Sequence, residues 1–175
     1  MNRAQLEHII RAAAVIADDD ELIIVGSQAI LGEHPDAPAE ALVSEEADVY
    51  PKNHPERADI IDGAIGELSQ FHDSFGYYAQ GVGEETATLP QGWRDRLVPV
   101  RGPGTRGATG WCLETHDLAV SKLVAGREKD LEFVGVLVRH QLVVPEILRQ
   151  RLAETRLAEP LRDAVLRRLS ACLRA

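Results

Sequence analysis

The 175-residue chain has only two cysteines, Cys112 and Cys172, too few for a disulfide framework, and neither stands in a Cys-x-x-Cys or Cys/His spacing. Its six histidines (8, 34, 54, 72, 116 and 140) are scattered and contain no His-x-x-x-His pair, so the usual zinc-site signatures are missing and each reads as a surface or core residue. No apolar run approaches the roughly 18 residues that cross a bilayer. The opening stretch, MNRAQLEHIIRAAAVIADDDE, mixes charge with apolar residues at helical spacing and has no apolar signal-peptide core. These absences predict a cytoplasmic chain with no membrane partner. RGPGTRGATG (101–110) is glycine-rich with Arg101 and Arg106, but no Gly-Lys-Ser/Thr follows it, so it is not a P-loop; it reads as a flexible connection, or as a mobile loop that could reach a phosphate. Internal repeats and low-complexity segments are also lacking.

A composition of 45% hydrophobic and 27% charged residues is that of a globular chain, and the length suits one ordinary domain. The expected division is a core over 1–114 and a helical segment over 115–175 packed on it as one unit. Charge is unevenly spread. Residues 1–100 hold 19 acids and 6 bases, residues 101–175 hold 9 acids and 13 bases, and the net is −9. Such a chain repels polyanions overall, while its basic last third could hold a phosphate or an RNA end; helix surface charge alone also accounts for the pattern.

Apolar positions at i, i+3, i+4 and i+7 predict a helix over 3–17. LIIVG (22–26) is a short buried strand, and Ser27 is the expected N-cap of a short helix. A proline-punctuated loop leads to EADVY (46–50), a second strand with Ala47 and Val49 on one face and Glu46, Asp48 and Tyr50 on the other. A helix over 55–69 follows, with Pro55 near its first turn. Antiparallel-looking strands are expected at 77–82, 96–100 and 111–114. From Thr115 the pattern is helical in four segments. The predicted class is α+β, a mixed sheet flanked by helices with a helical C-terminal half.

Three groups of residues could carry chemistry. Gly26 ends a strand before a helix, where backbone can approach a ligand closely, and Ser27 can donate to a phosphate oxygen; a plain tight turn is the simpler alternative. Glu46 and Asp48 alternate on one strand face with Cα atoms about 6.5–7 Å apart. They form either a solvated polar face or a hard-cation site of the kind Mg²⁺ occupies beside triphosphate oxygens. In HDLAVSKLVAGREKD, Lys122, Lys129 and Asp130 would share a face if one helix continued through Gly126. That face could meet a triphosphate, or simply carry exposed salt bridges. The aromatic pair in FGYY (75–78) could stack a base, but a buried strand start is favoured.

Together, a Gly-Ser turn, a short helix, a carboxylate-x-carboxylate strand and a DLAxSKLxAxRxKD segment resemble the minimal nucleotidyltransferases, most closely their AbiEii-like branch, which includes toxin components of toxin–antitoxin systems. The resemblance covers residues 20–50 and 111–135. It implies a five-stranded mixed sheet and Mg²⁺-dependent transfer of a nucleotide from an NTP to an RNA or protein acceptor, with an antitoxin-like protein as a further partner. On that resemblance Gly26 and Ser27 hold the phosphates and Glu46 and Asp48 hold the metal. Lys122 serves catalysis, and Lys129 and Asp130 face the nucleotide. Glu46 stands where the family usually has aspartate, and the spacer after Ser27 is longer than usual. Candidates for a third carboxylate are Glu114, Asp117 and Asp95. A fold that binds a partner without catalysis is the alternative.

Overall fold

The computed structural model describes residues 1–174. Helix α1 (Arg3–Ala17) starts at Asn2, whose side chain accepts the Gln5 N–H at 3.0 Å while the Gln5 side chain accepts the Asn2 N–H at 2.8 Å. It buries Leu6, Ile9, Ile10, Ala13, Ala14 and Ala17, the stripe its spacing predicts. Asp18 closes the helix in the left-handed region at φ 51°. The buried carboxylate of Asp19 then accepts N–H bonds from Glu21 (3.0 Å), Asn53 (2.8 Å) and His54 (3.1 Å), tying the entry of the first strand to the exit of the second. Burial raises its pKa, but these donors outweigh burial and hold it below the ordinary carboxylate value.

Strands β1 (Glu21–Ile24), β2 (Glu46–Pro51), β3 (Tyr78–Gly81), β4 (Val98–Val100) and β5 (Thr109–Cys112) form one sheet in the order β3-β2-β1-β5-β4. Central β1 pairs antiparallel with β2 and parallel with β5, and its Leu22, Ile23 and Ile24 are all buried. A strand covered on both faces reads as a continuous apolar run, as LII does. β3 runs parallel to β2, and only β4 pairs antiparallel with β5. The three later strands expected to be antiparallel are thus mixed, because long connections allow parallel pairing that local sequence does not reveal.

Two other expectations change. The helix expected over 55–69 is a 3₁₀ turn (Pro55–Arg57), then α3 (Ala58–Ile65), and then a separate α4 (Gln70–Phe75) capped by Ser69. Gly66 and Leu68, the latter at φ 61°, break the run. The helix after the first strand is a 3₁₀ turn (Ser27–Ala29) leading into α2 (Ile30–Glu33), and Gly26 rather than Ser27 holds the N-cap position.

Helices α5 (Thr115–Ala125), α6 (Glu128–Arg139), α7 (Pro145–Ala153) and α8 (Glu159–Cys172) make the helical C-terminal half of this α+β fold. The buried core runs without a break from Leu6 of α1 through β1 to Leu118 of α5 and Leu169 of α8. Among the described residues no helix is long and apolar enough to cross a membrane.

Candidate active site

Pairing of β1 with β2 continues one residue past β1, where the Val25 N–H donates to the Asp48 carbonyl at 3.1 Å. The strand end and its following turn are thereby held against Asp48. A Cβ on Gly26 would lie 1.7 Å from the Asp48 Oδ2, so the carboxylate occupies the space that any larger residue would need. Gly26 is required for close approach, not for its φ of −77°.

Period-two alternation brings Glu46 and Asp48 to one face of β2, both half-buried, while Ala47 and Val49 enter the core. Across the parallel ladder Glu46 pairs with Tyr78 and Asp48 with Gln80. The Tyr78 hydroxyl donates to the Glu46 Oε2 at 3.1 Å. Burial, and then a hydrogen bond and like charge from Glu46, push the Asp48 carboxyl up to about 7, against the opposing pull of Lys122 and Lys129. Two acids held this close need a proton or a cation between them.

The cationic wall comes from a break between two helices. α5 ends at Ala125, and Gly126, at φ 67°, donates its N–H to the Lys122 carbonyl. The chain turns through Arg127 into α6, so the continuous helix expected through Gly126 does not exist. Lys122 and Asp130 meet instead across this turn, at 3.6 Å. Asp130, only 2% exposed, also accepts the Arg127 backbone N–H (3.2 Å), its Nε (2.7 Å) and its Nη2 (3.1 Å). Burial raises the Asp130 pKa, but Arg127 and Lys122 more than offset this and leave it low. The same ion pair, with help from Asp48 and Glu46, raises the Arg127 pKa. Asp130 is thus the anchor of two cations rather than a free acid.

These groups line one cleft of about 1140 Å³. Gly26, Ser27, Glu46 and Asp48 lie on its wall, and so do Lys122, Lys129 and Asp130. All seven residues nominated from the sequence are therefore brought together. The sequence reading missed Arg127, although it stands inside the quoted GREKD segment, and it missed Tyr78, whose place beside Glu46 depends on strand register. Val43, Phe133 and Val136 give the cleft an apolar stretch.

None of the three candidates for a third carboxylate reaches the cleft. Glu114 caps α5 through the Asp117 N–H and pairs with His116. Asp117 is fully buried between Arg96, at 2.8 and 3.0 Å, and Arg151, at 3.2 Å. Asp95 lies exposed in the 3₁₀ turn Trp93–Arg96. Among the described residues no group of three or more His, Cys, Asp and Glu converges. Within FGYY, Phe75 and Tyr77 stand apart from the cleft, Tyr77 buried and both packed with His8 and Phe71, while Tyr78 reaches Glu46.

A family model described as a nucleotidyltransferase of unknown function (DUF6036) matches residues 4–170. No curated protein and no solved structure matches the chain.

Proposed function

Because the chain belongs to this family of nucleotidyltransferases of unknown function, we propose that it transfers the NMP of an Mg²⁺-bound NTP to an RNA or protein acceptor. The observation that carries the reading is the cleft itself, where Glu46 and Asp48 face Lys122, Arg127 and Lys129 beside the Gly26–Ser27 turn. Phosphoryl-type transfer needs positioning and charge stabilisation more than covalent help from the protein, and this arrangement offers both.

The donor set suits a hard divalent cation. Burial, then a hydrogen bond and like charge from Glu46, raise the Asp48 pKa, so a 2+ ion would relieve the pair more fully than a proton does. Glu46 and Asp48 would hold the ion, which Mg²⁺ chemistry would leave with room for phosphate oxygens and waters. Bound there, Mg²⁺ supplies charge neutralisation at the phosphates and acidification of the attacking hydroxyl. Ser27 and the neighbouring backbone N–H groups hold phosphate oxygens. Lys122, Lys129 and the outer side of Arg127 offset the charge of the departing pyrophosphate. In the transfer the acceptor oxygen bonds to the α-phosphorus, the α–β P–O bond breaks, and the hydroxyl proton leaves to water.

The likeness of residues 20–50 and 111–135 to AbiEii-like proteins supports a place in a toxin–antitoxin pair, with an antitoxin-like protein as partner. A second reading, nucleotide binding without transfer, is favoured because among the described residues no third carboxylate converges with Glu46 and Asp48.

The test is a thermal-shift titration with each of the four NTPs, with and without Mg²⁺, on the native chain and Asp48→Asn, followed by transfer of label from an [α-³²P]NTP. Mg²⁺-dependent stabilisation lost in Asp48→Asn, with label passing to an acceptor, supports the enzyme. Stabilisation without transfer supports the binding reading. No shift with any NTP overturns both.

A further inference from the structure

Resting on the metal-site reading above, we propose that Tyr78 is a positioning residue that holds the Glu46 carboxylate beside Asp48. Glu46 is on a strand next to the sheet edge and is only half-buried, and its long side chain has three rotatable bonds. When Asp48 is ionised, as a metal ligand must be, its charge repels the Glu46 carboxylate. Left to itself, the carboxylate would swing into water, where solvation and entropy both favour it. The tyrosine hydroxyl opposes that motion. It donates to the Glu46 Oε2 at 3.1 Å, from the position directly across the β2–β3 ladder.

The tyrosine is itself held. Its ring lies against the His72 ring, with centroids 4.7 Å apart. His72 is fixed in the first turn of α4, where its N–H donates to Ser69 Oγ at 3.1 Å and its Nδ1 accepts the Leu68 N–H at 3.1 Å. A chain of contacts thus runs from the α4 cap through His72 and Tyr78 to one acid of the pair. The length of Glu46 belongs to this device, because an aspartate at that position would fall a methylene short of the tyrosine hydroxyl. A hydrogen bond that orients a metal-binding carboxylate typically changes metal affinity by about 10- to 100-fold.

The experiment measures Mn²⁺ binding to the full chain by electron paramagnetic resonance, without nucleotide, so turnover plays no part. The variants are Tyr78→Phe, Glu46→Asp, the double variant and Asp48→Asn. Phenylalanine keeps the ring packed on His72 and removes only the donor. Tyr78→Phe is expected to weaken Mn²⁺ binding about 10-fold, and to add no further loss in the Glu46→Asp background, where the hydroxyl has nothing to hold. Native affinity in Tyr78→Phe overturns the inference. So does an equal loss in both backgrounds, which would mark a general disturbance of β3. Failure of the underlying site looks different: Asp48→Asn would then bind Mn²⁺ as the native chain does, or the native chain would not bind it at all.

Discussion

At the residue scale, Gly26 shows how far a sequence can be read. A glycine closing a strand suggests a tight turn, but its φ is one that any residue adopts. Its necessity comes from Asp48, 22 positions later in the chain, whose carboxylate fills the space of the missing side chain. Gly26→Ala is expected to displace Asp48, to cost about 1–3 kcal/mol from overpacking, and to abolish the Mg²⁺-dependent NTP shift. Urea unfolding and the thermal-shift titration check this, and an alanine variant with native nucleotide response would show that Asp48 need not lie there. Gln28 gives the opposite case. Its side chain is fully buried, and among the described residues neither amide atom has a hydrogen-bond partner. An unpaired buried amide costs about 1–3 kcal/mol. Gln28→Leu, close to it in volume, should therefore raise the urea midpoint, and a lower midpoint would mean that the amide is satisfied in solution. Glu46 and Asp48 were legible from alternation alone. Tyr78 was not, because its nearness to Glu46 is a fact of strand register, which neither segment carries by itself.

At the element scale, the break between α5 and α6 assembles the cationic wall. The spacing of Lys122, Lys129 and Asp130 also fits a continuous helix, so the sequence pattern brings them together for the wrong reason. In the structure they converge because the chain bends at Gly126, which adopts φ 67° and touches the Arg168 guanidinium of α8. Arg168 also donates to the Leu123 and Val124 carbonyls at 2.8 and 3.0 Å, satisfying the exposed end of α5. An alanine at 126 would bear a left-handed penalty of about 1–2 kcal/mol and would place its Cβ 2.1 Å from the Arg168 Cζ. Gly126→Ala is expected to lower stability by at least that penalty. It should also weaken NTP binding more than Mn²⁺ binding, since the bend positions Lys122 and Arg127 while β2, with Tyr78 of β3, positions the acids. Equal losses for both ligands would show that the bend serves the fold only. The division of the helix expected over 55–69 was unreadable for a related reason: Gly66 and Leu68 interrupt a run whose apolar spacing continues across them.

At the scale of the whole molecule, the core and the element order follow from apolar periodicity, while the pairing of strands and the convergence of the two halves on one cleft do not. The cleft joins an acid pair from the acidic first hundred residues to cations from the basic last third, so the charge asymmetry of the sequence has a structural counterpart there. This meeting also sets the response to pH. The folded-state pKa of Asp48 is about 7, above its value of 3.8 in the unfolded chain. Between those values the folded protein holds a proton that the unfolded chain has released, so Asp48 makes stability fall as pH rises through this window. Asp19, Asp130 and Glu114 act in the other direction: their lowered pKa values contribute stability above the ordinary carboxylate range, and that is lost in acid. The metal-free chain should therefore be most stable at mildly acidic pH and lose stability from there towards pH 8. Asp48→Asn should flatten that decline, because asparagine has no proton to release. A cation competes with the proton for the same oxygens, so stabilisation by Mg²⁺ with NTP should grow from pH 6 to pH 8 in the native chain and be lacking in Asp48→Asn. Thermal unfolding across this range, with and without Mg²⁺ and NTP, checks both slopes, and a metal-free native chain whose stability does not decline over it would remove Asp48 as the titrating group.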